Sequence, residues 1–185
     1  MSKLYIFNML TIDGFFEGTN KWEISWHNVD AEFHEFAAEQ LNETGMLLFG
    51  RVTYEGMAKY WTSETASKND PLISQLMNSV PKVVFSRTMS KADWSNTRLI
   101  KGNVSEEVQK LKSEGKKDIG ILGSANLASS LIDNSLIDEY RIIINPVVLG
   151  KGSPMFLTTR PMPNIKLLRS RIFKSGNVLL TYGPK

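Results

Sequence analysis

Short apolar runs alternate with amphipathic stretches along this chain. Leu4–Phe7 is a run of strand formers, followed by the Asp13-Gly14 turn pair. From Asn28 to Thr44, the spacing of Phe33, Ala37, Leu41 and Thr44 predicts a helix, with Glu32, Glu35, Glu39 and Glu43 around the rest and Gly45 as its cap. Met46–Phe49 is a second strand ended by Gly50, and Thr53–Trp61 reads as a helix. Asp70-Pro71 opens a short helix to Ser79. Lys82–Phe85 and Arg98–Lys101 are strands. Val104, Val108 and Leu111 share one face of a helix over Val104–Glu114, with Asn103 as cap, Glu106 at the capping-box position and Gly115 as stop. Ile119–Leu122 is a strand, Ala125–Asp133 a helix, and Leu136–Asn145 continues into a strand. Ile165–Phe173 and Val178–Tyr182 flank Ser175-Gly176-Asn177, a hairpin signal.

Alternation of strand and helix through Asn145 implies an α/β fold with a mixed, mainly parallel sheet of about eight strands, covered on both faces. The last two strands imply an antiparallel edge. No linker or repeat interrupts the pattern, so residues 1–185 read as one domain.

Composition narrows the chemistry. The chain has no cysteine, which excludes disulfides, thiolate catalysis and cysteine-ligated metals. Its two histidines, His27 and His34, are read as solvent-facing, and a His-rich metal site is not expected. A net charge of +3 with scattered basic residues is no nucleic-acid signature. No apolar run approaches the ~20 residues of a membrane span. Asn8, Thr11 and Asp13 interrupt any signal-peptide core, so a cytoplasmic protein is expected.

Three strands run into segments of one chemical kind, namely Gly50-Arg51-Val52-Thr53, Ser86-Arg87-Thr88 and Gly123-Ser124-Ala125-Asn126. Ligands of open α/β sheets gather at the carboxyl ends of strands, and helix N-termini suit phosphate. Arginine forks onto phosphate oxygens, and serine and threonine add donors. Together these segments point to a ligand with several phosphates. There is neither a G-x-G-x-x-G fingerprint nor a Walker A sequence. Asp30 falls on the apolar line of Phe33, Ala37 and Leu41, in the first turn of the predicted helix. Two readings stand for it: complementing the helix dipole, or donating a proton or binding a cationic heterocycle. Trp22 and Trp26 read either as core packing or as a stacking wall for a flat ring. Lys151, between Gly150 and Gly152, reads as surface or as a contact for an anionic substrate.

At Leu48-Phe49-Gly50-Arg51-Val52-Thr53-Tyr54-Glu55 the chain resembles the dihydrofolate reductase-like superfamily. It is most similar to the reductase domain of the bifunctional riboflavin-biosynthesis protein and its stand-alone bacterial relatives. Thr11-Ile12-Asp13-Gly14-Phe15, Val84-Phe85-Ser86-Arg87-Thr88, Ile121-Leu122-Gly123-Ser124-Ala125, Leu136-Ile137-Asp138-Glu139 and Pro146–Gly152 extend the resemblance nearly end to end. It implies a three-layer α/β/α fold, NADPH as cofactor, a pyrimidine- or pterin-like substrate and a homodimer. It implies that Gly50, Arg51 and Thr53 hold cofactor phosphates, that Ser86, Arg87 and Thr88 lie by the adenosine 2′-phosphate, and that Gly123, Ser124, Ala125 and Asn126 cradle the pyrophosphate. Asp13, Trp26 and Asp30 would then face the nicotinamide and substrate, with Asp13 and Asp30 catalytic. The chain departs from the family with Gly123-Ser124 in place of Gly-Gly, and Trp26-His27-Asn28-Val29 lacks the proline of true dihydrofolate reductases. Activity of the dihydrofolate reductase type, or NADPH binding without turnover, are the alternatives.

Overall fold

The computed structural model describes residues 1–156 and 164–185. β1 (Leu4–Thr11) leads to a short β2 (Phe15–Glu17), then α1 (Ala31–Glu43), β3 (Thr44–Gly50) and α2 (Arg51–Trp61). Next come α3 (Glu64–Asn69), α4 (Pro71–Ser79), β4 (Lys82–Phe85), β5 (Thr97–Ile100), α5 (Val104–Glu114) and β6 (Asp118–Leu122). The chain closes with α6 (Ala125–Asp133), β7 (Glu139–Asn145), β8 (Ser153–Pro154), β9 (Ile165–Ile172) and β10 (Val178–Pro184).

The main sheet has eight strands in the order β5-β4-β3-β6-β1-β7-β10-β9. β5 through β7 pair in parallel, and β10 and β9 are antiparallel, as the pattern predicts. The central strands are buried on both faces, which is why β1 reads as an almost unbroken apolar run. One face packs on α5 and α6 through Leu4, Ile6, Val108, Ile121 and Leu131. The other packs on α1, α2 and α4 through Leu41, Leu47, Phe49, Tyr54 and Met77. On that second face a smaller cluster joins Met9, Ile143, Phe173 and Leu179 to Phe33 and Phe36 of α1.

The observed elements differ from the predicted ones at their ends. α1 starts at Ala31, because Asp30 is extended and its carboxylate caps Phe33 N. Strand β3 starts directly at Thr44, so Gly45 does not cap the helix; it makes room, since a Cβ there would press on Lys117. Leu136 and Ile137 pack into the core ahead of β7, and Asp138 accepts a bond from Leu4 N at 2.7 Å. The polar α3, capped by Ser63, and the β2–β8 pair have no apolar periodicity to announce them. Among the described residues no helix is long and apolar enough to cross a membrane.

Candidate active site

Because β5, β4, β3 and β6 are parallel neighbours, their carboxyl ends open on one side of the sheet. A cleft of about 2750 Å³ runs along them. It brings together Gly50, Arg51, Thr53, Ser86, Arg87, Gly123, Ser124, Ala125 and Asn126.

Two helix starts face this cleft with no connecting loop to spare. β3 ends at Gly50 and α2 begins at Arg51. β6 ends at Leu122, and only Gly123 and Ser124 separate it from α6. Both of those residues are left-handed, with φ of 66° at Gly123 and 56° at Ser124. A Cβ on Gly123 would sit 3.4 Å from Thr53 Cγ2 and occupy the space between the two helix starts. Serine in the left-handed region costs roughly 1–2 kcal/mol. In return its Oγ accepts a bond from Gly50 N at 3.0 Å, tying the start of α2 to that of α6. The serine that replaces the family's second glycine thus acts as a clamp.

The capping pattern leaves both of these helix starts open. Asp30, Ser63 and Asn103 cap α1, α3 and α5 with side-chain oxygens, and Pro71 opens α4. The starts of α2 and α6 have no side-chain cap. Their first-turn N–H groups and the helix dipoles are therefore disposed toward an anion in the cleft. Arg51 extends from α2 and pairs with Glu55 at 3.1 Å. Arg87 is exposed at the tip of a turn whose Ser86 Oγ accepts bonds from Thr88 N and Met89 N. Lys101, Gly102 and Asn103, after β5, continue the same wall. They were not among the expected site residues, although Lys101-Gly102 repeats the pairing of a cation with a glycine found after β3. A glycine-lined approach, uncapped helix starts and three cations on one rim fit a ligand carrying several phosphates.

The other end of the cleft is walled by Phe16 of β2 and Trp22 from the loop after it, and by His27, Val29 and Phe33 at the entrance to α1. Asn8, a polar residue inside an otherwise apolar strand, also lines it and contacts Met155 Sδ. That interruption of the run was the available signal for Asn8. His27 does not face solvent as expected: it lines the cleft, and its Nε2 is shielded without a hydrogen-bond partner. Burial lowers its pKa to about 4, which keeps the imidazole neutral near pH 7. Its neighbour Asn28 is pinned from three sides. Asn28 N donates to Asn145 Oδ1 at 2.9 Å, its Nδ2 donates to Ser175 O, and Asn177 Nδ2 donates to its carbonyl. The β7 end and the β9–β10 hairpin thereby fix the approach to α1.

Five expected site residues stand elsewhere or otherwise employed. Asp30 caps α1, with Oδ1 accepting from Phe33 N at 2.8 Å; its flanking residues Val29 and Phe33 line the cleft, while Asp30 does not. Asp13 is solvent-exposed outside the cleft. The Thr11 hydroxyl, together with Gly150 N and Leu149 N, holds its carboxyl below the usual range. It accepts from Gly150 N at 2.7 Å and so staples the loop after β7 to the loop after β1. Trp26 packs edge-on against His27, 4.5 Å between ring centroids, and its Nε1 donates to Glu23 O. Thr88 closes the Ser86 turn, and Lys151 is an exposed loop residue; neither lines the cleft.

The family profile of the RibD C-terminal domain matches residues 2–179 of this chain. The uncharacterized protein YyaP of Bacillus subtilis (strain 168) is 36% identical over 175 residues, covering 94% of this chain and 90% of that protein. A Shewanella sp. PV-4 protein assigned to riboflavin biosynthesis has a similar crystal structure, with a TM-score of 0.75, 21% identity and 99% of each chain covered. The deaminase/5-amino-6-(5-phosphoribosylamino)uracil reductase of Thermotoga maritima aligns with a TM-score of 0.68 at 14% identity, over all of this chain and 57% of that one. The shared architecture is the dihydrofolate reductase-like fold.

Proposed function

This chain belongs to the RibD C-terminal domain family, whose members are reductases of riboflavin biosynthesis, and on that premise we propose that it is an NADPH-dependent reductase of a pyrimidine- or pterin-like small molecule. The reading is closest to 5-amino-6-(5-phosphoribosylamino)uracil reductase chemistry. The observation that carries it is the pair of uncapped helix starts, α2 and α6, meeting over Gly123 in a cleft rimmed by Arg51, Arg87 and Lys101.

The first-turn amides of α2 and α6 would hold the pyrophosphate, with Gly123 permitting close approach and Ser124 clamping the two helix starts. Arg87, with Lys101 beside it, would select the adenosine 2′-phosphate. The cofactor, when bound, supplies a hydride to a C=N or C=O carbon of the substrate, and a proton completes the reduction at the adjoining nitrogen or oxygen. Asp30, beside the cleft wall made by Val29 and Phe33, is the proposed proton donor or relay; its capping bond to Phe33 N fixes where the carboxyl stands. Neutral His27 lines that end of the cleft. We also propose a homodimer. Support comes from edge strand β9, where Leu167, Leu168 and Ile172 stand 54%, 49% and 77% exposed.

The test is a titration of NADPH against NADH, read by quenching of the four tryptophans. Tight NADPH binding with much weaker NADH binding is expected, followed by substrate-dependent loss of NADPH absorbance. Binding of neither nucleotide refutes the reading. Asp30→Asn keeps the cap and removes the acid, so turnover should fall while NADPH affinity holds; unchanged turnover removes Asp30 from the mechanism.

A further inference from the structure

The start of α1 rests on the tip of the β9–β10 hairpin. Asn28 is bonded there to Ser175 O and Asn177 Nδ2, at 2.8 Å and 2.7 Å. Glu32 adds two more ties: Oε2 accepts Lys174 N at 2.9 Å, and Oε1 accepts Arg171 Nη2 at 3.4 Å. Phe36 meets Phe173 edge-on, with ring centroids 5.9 Å apart, and the Arg171 guanidinium lies 4.8 Å above the Phe173 ring. β9 is the last strand of the sheet, so the tip gains its hold from α1 and not from a further strand.

The same stretch of chain walls the cleft, through His27, Val29 and Phe33. Phe33 joins the two roles, since its ring lies 6.4 Å from Phe36, the residue that meets Phe173. Asn177 and Glu32 do not line the cleft themselves. Asn177 is fully buried, and its Oδ1 is shielded without a partner. A buried carboxamide with an unmet oxygen adds little net stability. What it supplies is direction: its Nδ2 fixes the Asn28–Val29 peptide, which stands between His27 and Asp30.

We propose that Asn177 and Glu32 are positioning residues for the substrate end of the cleft: through Asn28 and the first turn of α1 they hold the wall of His27, Val29 and Phe33 in place, and with it the Asp30 carboxyl. The role of that end in reduction rests on the reductase reading; the hold of the hairpin on the wall does not. Each tie links segments far apart in sequence, so losing one lets the wall relax without removing any side chain from the cleft. Water then reaches His27, whose ring burial keeps neutral with a pKa of about 4. His27 therefore reports the position of the wall. Trp26, which meets His27 edge-on, reports it a second time through its indole N–H.

The test follows the imidazole and indole resonances of the full chain by NMR between pH ~8 and pH ~5, with His34→Gln used to tell the two histidines apart. Asn177→Ala and Glu32→Ala should each raise the proton affinity of His27 about tenfold, toward its ordinary value, and shift the Trp26 indole. Glu32→Gln can still accept Lys174 N and should fall between wild type and Glu32→Ala. Ser63→Ala, which removes the cap of α3, should lower stability and leave both reporters unmoved. An unchanged His27 curve in either alanine variant of the hairpin joint overturns the proposal. So does an equal response in Ser63→Ala, or no difference between Glu32→Gln and Glu32→Ala. NADPH titration of the same samples judges the reductase reading separately, because the starts of α2 and α6 are untouched. Wild type that binds no NADPH while His27 responds as expected would refute that reading alone.

Discussion

His27 makes an acid-stability prediction whose size follows from its burial. The ring lines the cleft, its Nε2 has no partner, and burial sets its folded pKa at about 4 against an ordinary 6.5. The folded protein therefore refuses a proton that the unfolded chain accepts. Stability is intact above pH ~6.5 and is lost as pH falls toward ~4. Full protonation of the unfolded chain against a neutral folded His27 costs up to about 3.4 kcal/mol, of which about 2.5 kcal/mol is already lost at pH ~4.5. Urea unfolding of wild type and His27→Phe at pH ~7.5 and pH ~4.5 isolates this quantity. The packing change in the variant is common to both pH values, and carboxylate titrations are common to both proteins. The wild type should lose about 2.5 kcal/mol more than the variant on acidification. Equal losses would mean that the ring is solvated, or has an acceptor, in the folded protein, and the argument from burial would fail.

Ser124 gives a paired prediction. Ser124→Ala keeps the left-handed strain and loses the bond to Gly50 N, so it should lower unfolding stability by about 1 kcal/mol, whereas Ser124→Gly relieves the strain as it loses the bond and should be near neutral. Chemical denaturation checks both; equal losses would remove the clamp. Arg87→Ala should raise the NADPH Kd about tenfold or more and leave the NADH Kd unchanged in fluorescence titration, since only one nucleotide carries the 2′-phosphate. Gly123→Ala should weaken both nucleotides, because its Cβ would fill the approach beside Thr53 in a backbone conformation that alanine resists; calorimetry with each nucleotide reads this directly.

Much of the fold was legible because burial on both sides of a parallel sheet writes itself as apolar runs. β4, α4, α5 and α6 stand at the residues that their periodicity and caps predict. What periodicity could not carry was missed: α3 is six residues of which only Ala66 is apolar, and β2 and β8 are short strands of three and two residues that pair with each other. In the site, the strand-end segments Gly50–Thr53, Ser86-Arg87 and Gly123–Asn126 were found from turn chemistry, and the structure brings them into one cleft. The acidic pair was less readable. Asp30 lies on the apolar line by spacing, yet a residue that caps a helix leaves helical geometry, so the angle of 100° per residue does not apply to it. Asp13 sits in a turn, and nothing local reveals that residues Leu149 and Gly150 will claim its oxygens.

Local sequence was enough to set the order of the longer elements, the parallel sheet with its antiparallel edge, and the chemistry of the strand ends. Each of these depends on neighbours within a few positions, where periodicity, glycine and capping residues act directly. Which polar groups are exposed and which are occupied was settled by long-range packing. Packing turned Ser124 into a clamp on Gly50, shielded His27 Nε2 without a partner, and set Asp70 beside His34. Those outcomes depend on contacts between residues far apart in sequence, and the desolvation and pairing that fix a polar group's role arise only when the chain closes around it.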